Sequence, residues 1–373
     1  MINPERIYNF FQEKGIQFFT GVPDSLLKHF LKYVNDHAAP DDHIITANEG
    51  LAVGLASGYH FRTGKIPLVY LQNSGLGNTI NPLTSLADKE MYSVPILLLI
   101  GWRGKPGTKD EPQHKKMGKI LLYMLTILDI PFYILDTEEE SSFKKIDEAI
   151  ELAMNEKMPV ALIAAEEIFS TYSGTAEGDK YSLVREYVIK EIIAVAKGDE
   201  QVVCTTGKIG REFYEQNKLA GNKISKYFLS VGAMGHANHI ALGVHAGEKT
   251  IMLDGDGALL MHLGSLATIA KQAKENFIHI VINNGSHESV GGQPTGAFDI
   301  DCCAVAKACG YKKGFCITND DELNNWLQNH FTDPALQFVE IKTNRFSRAD
   351  LGRPSGNPSE WKENFMNAIK KKI

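Results

Sequence analysis

Leu253-Asp254-Gly255-Asp256-Gly257 ends the apolar run 250–253, and 25 residues later (258–282) the run 277–282 ends in Asn283-Asn284-Gly285-Ser286. An apolar run, a glycine turn, an amphipathic stretch over 259–273 and a second apolar run make a strand–turn–helix–strand unit. A connection that carries a whole helix joins parallel strands. In open parallel sheets ligands collect outside the carboxyl ends of the strands, so the two turns are where chemistry is expected. The glycines let the backbone come close to a ligand, and the helix that follows offers free N–H groups to a phosphate. Asp256 adds a carboxylate, Asn284 an amide oxygen and Ser286 a backbone carbonyl, a hard oxygen set suited to magnesium. Alone, Asp256 reads as a helix cap and Asn284 as a turn residue; at the ends of two successive strands, the metal reading prevails. A dinucleotide fingerprint is excluded, because its third glycine would fall on Leu260. Gly58…Gly64-Lys65 lacks the spacing and the following Ser or Thr of a phosphate-binding P-loop.

The same alternation extends outward. Further apolar runs at 17–20, 43–46, 68–71, 95–100, 132–135 and 160–164 read as short buried strands, with amphipathic stretches at 25–34, 51–61, 119–128 and 143–155. The second half adds strands at 202–205, 227–231 and 337–341 and helices at 182–197, 237–245 and 320–330. Between the halves, 166–182 is polar and punctuated by glycine. The chain therefore reads as two α/β domains with doubly wound parallel sheets, 1–168 and 183–373, joined by a linker over 169–182. The linker leaves no room for a middle domain.

Composition narrows the function. Of 373 residues, 39 are Lys or Arg and 45 Asp or Glu, a net charge of -6. That balance argues against a nucleic-acid binder, which needs a concentrated positive field. Five cysteines without a CxxC pair exclude a disulfide framework, and Cys302, Cys303, Cys309 and Cys316 read as buried reduced thiols rather than zinc ligands. The greasiest stretch, 120–135, is interrupted by Asp129 and Pro131 and too short to span a membrane, so it reads as a buried helix followed by a strand. No membrane partner is expected, and a cytoplasmic location is.

Gly255-Asp256-Gly257 and Asn283-Asn284 at this spacing resemble the metal–diphosphate motif of thiamine diphosphate enzymes. Thr46-Ala-Asn-Glu49-Gly-Leu-Ala-Val-Gly54 resembles their catalytic-glutamate segment, and Ser230-Val-Gly-Ala-Met234-Gly-His236 their pyrimidine-gripping stretch. More specific strings are similar to the phosphonopyruvate decarboxylase family: Gly21-Val-Pro-Asp-Ser25, Gln72-Asn-Ser-Gly-Leu-Gly-Asn78, Asn81-Pro-Leu-Thr-Ser85, Gly101-Trp-Arg-Gly104, Asp110-Glu-Pro-Gln-His114, Thr205-Thr-Gly-Lys208 and His287-Glu-Ser-Val-Gly-Gly-Gln-Pro-Thr295. The resemblance covers nearly the whole chain. It implies a pyrimidine-binding first domain and a diphosphate-binding second one, with thiamine diphosphate and Mg2+ as cofactors. It places Glu49, Thr206, Gly207, Gly232, Met234, Gly255, Asp256, Gly257 and Asn284 against thiamine diphosphate, and Asp256, Asn284 and Ser286 on the metal. Met234 would wedge the cofactor into its bent form; otherwise it reads as a core methionine.

The implied reaction is non-oxidative decarboxylation of the small molecule 3-phosphonopyruvate to phosphonoacetaldehyde and CO2, within phosphonate (2-aminoethylphosphonate) biosynthesis. Glu49 would hydrogen-bond the pyrimidine ring from a dry pocket. Such a doubly anionic substrate calls for positive charge, for which Arg103 and Lys105 are candidates beside Ser25 and His114. Arg103 could instead pair with Asp110 or Glu111 to order its own loop, and Lys208 could serve the substrate or the diphosphate. His114 or His287 would supply the proton that replaces CO2. Sulfopyruvate is the neighbouring substrate, while Glu49 argues against a non-catalytic cofactor-binding protein. In this family the two unlike domains of different chains meet, which implies a homo-oligomer, at least a dimer, with shared active sites.

Overall fold

The computed structural model describes residues 1–175 and 178–370. Ala176 and Glu177, within the expected linker, and the last three residues of the expected second domain lie outside the described residues. The chain forms two compact units, Met1–Ala176 with His287–Gln293, and Glu177–Ser286 with Pro294–Ile373.

In the first unit, β1 (Phe19–Gly21), β2 (His43–Ile45), β3 (Leu68–Gln72), β4 (Leu97–Gly101), β5 (Phe132–Leu135) and β6 (Val160–Ala164) form one sheet in the order β2-β1-β3-β4-β6-β5. Every pairing is parallel. Strands β3, β4 and β6 are almost wholly buried, which is why they read as unbroken apolar runs rather than alternating ones. One apolar layer, around Phe11, Phe19, Phe30 and Leu162, covers one face, and a second, around Val53, Leu98 and Leu125, covers the other.

The second unit repeats the plan with β7 (Gln201–Cys204), β8 (Lys226–Leu229), β9 (Thr250–Gly255), β10 (Phe277–Asn283), β11 (Lys313–Ile317) and β12 (Gln337–Lys342), in the order β11-β12-β10-β9-β7-β8. Two doubly wound parallel-sheet domains are therefore the architecture, with no middle domain.

The structure corrects the sequence reading in several places. Strand β11 is extra: as an edge strand its residues are mostly half-exposed, and Lys313-Gly314 hides the apolar signal. The helix expected over 259–273 is two helices, Asp256–Met261 and Ser265–Gln272, parted at His262–Gly264. The helix in 120–135 is amphipathic rather than buried, with Tyr123 and Ile127 outside. All five cysteines are free thiols, yet only Cys302 and Cys303 of the cluster are buried, pushed up to about 12 by that burial; Cys309 is half-buried and Cys316 exposed.

Candidate active site

In the first unit, Asn48 caps helix Glu49–Thr63 by accepting the Gly50 N–H at 2.8 Å, and this fixes Glu49 at the first helical position. Glu49 is buried, and its Oε2 accepts a hydrogen bond from Asn78 Nδ2 at 2.7 Å. A Cβ at position 75 would stand 2.1 Å from Glu49 Oε1, so glycine is required there for the carboxylate to lie where it does. The turn that carries Gly75 and Asn78 also carries Asn73, whose amide donates to the Arg103 carbonyl at 2.8 Å and accepts the Arg103 N–H at 3.2 Å. One segment thus registers the Glu49 carboxylate and the Arg103 loop together.

Arg103 directs its fork at Asp110, Nε to Oδ2 at 2.9 Å and one terminal nitrogen to Oδ1 at 2.5 Å, while the other terminal nitrogen donates to Ser25 Oγ at 2.6 Å. Burial works against the Asp110 carboxylate, but the Arg103 bond and the Glu111 and Gly104 amides outweigh it and hold it well below the usual range. Lys105 lies with its ammonium 5.9 Å from the Trp102 ring, and Trp102 itself is pinned through Nε1 to the Gly118 carbonyl at 2.7 Å. His114 opens the next helix; burial first, and then the Arg103 charge, lower its pKa. Its buried Nδ1 has no hydrogen-bond partner.

Asp24, part of the string Gly21-Val-Pro-Asp-Ser25, had no role assigned from the sequence. It is fully buried beside Ser25, accepts from Gln72 Nε2 at 2.8 Å and from the Leu26 N–H at 2.9 Å, and burial raises its pKa. A Cβ at Gly101 would come within 1.9 Å of its Oδ1. The signal was present: aspartate after the β1 turn, glycine at the end of β4.

His287 lies in a short loop closed by its own N–H on the Gln293 carbonyl at 2.8 Å, and burial pushes its imidazole down to about 4.

In the second unit the turns after β7, β9 and β10 carry the remaining candidates. Asp256 is buried at the first position of its helix, after Gly255 as N-cap, and its Oδ2 accepts from Thr295 Oγ1 at 2.6 Å. Burial pushes its carboxyl up to about 6, opposed by that hydrogen bond, by the Gly257 and Asp256 backbone amides and by the Arg185 charge. Thr295, which lies in a string quoted above without a role, is the neighbour the sequence did not identify. Asn284 is buried and accepts the Ser286 N–H at 3.1 Å. Ser286 Oγ, and Thr205 Oγ1 at the end of β7, are buried without a hydrogen-bond partner. Thr206 and Gly207 follow β7, and Gly207 precedes helix Lys208–Leu219, which begins at Lys208. Gly255 and Gly257 flank Asp256 at the end of β9. In the loop after β8, Ser230 Oγ donates to the Gly232 carbonyl at 2.7 Å, and the carbonyl of half-buried Met234 lies 3.0 Å from His236 Nδ1. Among the described residues no group of three His, Cys, Asp or Glu could hold a metal. A cation here would therefore rely on one carboxylate, neutral oxygens and the oxygens of a bound anion.

Comparison with known proteins agrees across both units. The model of the thiamine pyrophosphate enzyme N-terminal TPP binding domain matches residues 4–121, and that of the C-terminal TPP binding domain matches residues 202–341. Phosphonopyruvate decarboxylase of Streptomyces viridochromogenes is 34% identical over 94% of this chain and 91% of its own. The protein of that name from Streptomyces hygroscopicus is 33% identical over 94% and 90%. Sulfopyruvate decarboxylase of Methanosarcina acetivorans is 32% identical over 91% of each chain. The chain belongs to the thiamine pyrophosphate enzymes, in the phosphonopyruvate decarboxylase family.

Proposed function

We propose that the protein is a carboxy-lyase that decarboxylates 3-phosphonopyruvate to phosphonoacetaldehyde, with thiamine diphosphate and Mg2+, in phosphonate biosynthesis. The observation that carries this reading is the end-to-end likeness to two phosphonopyruvate decarboxylases, over 94% of the chain. The residues present fit the cofactor: two buried hydroxyls without partners, Thr205 Oγ1 and Ser286 Oγ, lie at the ends of β7 and β10. Asp256, Asn284 and Ser286 would hold the metal, with Thr206, Gly207, Gly255 and Gly257 along the diphosphate and Gly232 and Met234 along the pyrimidine.

When bound, thiamine diphosphate supplies the electron sink that a 2-keto acid lacks. The chain supplies position and charge. Glu49, held by Asn78 on one oxygen, would hydrogen-bond the pyrimidine ring through the other. Ser25 and Arg103, with Lys105 and His114 nearby in sequence, would receive the phosphonate. Because Asp110 holds the guanidinium fork, Arg103 meets the substrate through the nitrogen now bonded to Ser25. His287 is neutral at pH 7 and would act as an N–H donor rather than as an imidazolium; His114 is the other candidate for delivering the proton.

The sulfopyruvate reading has its own support in the Methanosarcina relative. Side-by-side turnover of phosphonopyruvate, sulfopyruvate and pyruvate tests the choice. Higher kcat/KM on phosphonopyruvate is expected, and a preference for sulfopyruvate would overturn the reading.

The enzyme works as a homo-oligomer, at least a dimer with shared sites. Supporting this, Leu51 and Phe61 on the helix that starts at Glu49 are 61% and 59% exposed, as are Met91 and Tyr92 in a following loop at 52% and 63%. No helix among the described residues is long and apolar enough to cross a membrane. Five free thiols support a reducing, cytoplasmic setting.

A further inference from the structure

The turns that bear Asp256 and Asn284 are fastened from below by one device used twice. Asp254, the penultimate residue of β9, accepts the Gly255 N–H on Oδ1 at 3.0 Å, and its Oδ2 meets His279 Nε2 at 3.0 Å. His279 Nδ1 in turn lies 3.2 Å from the Tyr311 hydroxyl. The imidazole thus bridges the Asp254 carboxylate on one side and the Tyr311 hydroxyl on the other. On the neighbouring strand β10, Asn283 accepts the Gly285 N–H on Oδ1 at 3.0 Å and donates from Nδ2 to Glu340 Oε1 at 2.7 Å. Asp254, His279, Asn283 and Glu340 are each no more than 1% exposed.

Strand alternation sets all four on one sheet face, the face otherwise lined by Met252, Phe277, Val281 and Phe338. An apolar side chain at these positions would fill that layer at lower cost, since each buried polar group must be fully paired. What the polar chain adds is a single allowed geometry. In both turns a strand-end side chain holds the amide of the following glycine while a residue deeper in the sheet holds that side chain.

We propose that His279, Tyr311 and Glu340 are positioning residues for cofactor binding. Acting through Asp254 and Asn283, they fix the two glycine amides and hence the directions in which Asp256 and Asn284 present their oxygens. The inference rests on the thiamine diphosphate–Mg2+ reading and is independent of the substrate. Magnesium tolerates little departure from octahedral geometry, and loss of such outer partners typically weakens a metal site about 10- to 100-fold.

The test is thiamine diphosphate binding to the full-length apoprotein, followed by calorimetry as Mg2+ is titrated, with thermal melting of each apoprotein alongside. His279→Leu and Glu340→Leu should raise the Mg2+ concentration for half-saturation about 10- to 100-fold. His279→Gln and Glu340→Gln, which can still donate to Asp254 and accept from Asn283, should recover most of it. Tyr311→Phe, which keeps the ring, should weaken the site several-fold at a temperature well below its melting point. The proposal is overturned if the leucine variants bind as wild type, or if the glutamine variants are as weak as the leucine ones. Should the leucine variants not fold, Tyr311→Phe decides, and unchanged Mg2+ dependence in that variant overturns the proposal. Turnover is not read, so an error about phosphonopyruvate leaves the outcome intact.

Discussion

Gly75 has no room for a side chain, and the constraint comes from the Glu49 carboxylate rather than from backbone conformation. In Gly75→Ala the new methyl would lie 2.1 Å from Glu49 Oε1 and 2.5 Å from its carboxyl carbon, so the carboxylate must move. Displacement of a reacting group by about 1 Å can cost roughly 100-fold in rate. We expect Gly75→Ala to lower kcat by that order while urea unfolding registers an overpacking cost of about 1–3 kcal/mol; wild-type kcat would remove Glu49 from the chemistry. At Arg103 the decisive quantity is charge on the substrate. A phosphonate carries between one and two negative charges near neutral pH, by analogy with a phosphate, whereas the methyl of pyruvate offers a guanidinium nothing. Arg103→Ala should lower kcat/KM on phosphonopyruvate by about 2–5 kcal/mol, roughly 30- to 5,000-fold, and that on pyruvate far less. Arg103→Lys should recover only part, because an ammonium cannot reproduce the fork that holds Asp110. Equal losses on both substrates, with a lower melting temperature, would reduce Arg103 to a brace for its own loop.

At the scale of elements, polar contacts at the ends of short strands set both stability and site geometry. In β2, His43 Nε2 lies 2.9 Å from the hydroxyl of fully buried Tyr70 on β3, and burial pushes His43 down to about 4. Its unfolded-state value is about 6.5, so the unfolded chain binds the extra proton first and stability falls as pH drops from about 6.5 toward 4. Such a single group contributes at most about 1.4 kcal/mol per pH unit. Denaturant titrations between pH 7 and 4 should therefore show a shallower decline in His43→Gln than in wild type. Identical slopes would mean that other groups carry the acid sensitivity. Strand and helix identities were readable wherever burial imposes a continuous or periodic apolar pattern. The second helix was expected over 25–34 but runs Lys28–His37, because Asp24 takes the Leu26 N–H while Gln72, 48 residues on, holds the same carboxyl group. A contact that distant leaves no local trace.

For the whole molecule, the prediction is complementation. If two copies share each site, a Glu49→Gln chain and an Asp256→Ala chain are each inactive alone. A hybrid of the two contains one site with both residues intact. After an equal mixture has exchanged subunits, half the dimers are hybrids with one good site of two, so about a quarter of wild-type activity should return. Return of none, with exchange verified by mass, would count against shared sites. In parallel, Asp256→Ala should lose Mg2+-dependent cofactor binding in a direct titration, since the chain then offers no carboxylate to the ion.

The amino-acid sequence alone determined the two parallel α/β domains, the absence of a middle domain and the metal–diphosphate turn, and its resemblance to a known family implied the cofactor and the class of reaction. Hydrophobic runs are imposed by burial on both sheet faces, and a diphosphate–metal turn needs particular residues at a particular spacing; both are local demands. Only the tertiary structure decided how the polar groups are partnered. Asn78 on Glu49, Thr295 on Asp256, Asp110 on the Arg103 fork and His279 beneath Asp254 are pairings made across turns or strands. A buried polar atom must find a partner, but burial leaves open which of many Asn, Thr or Asp side chains the fold will bring to it.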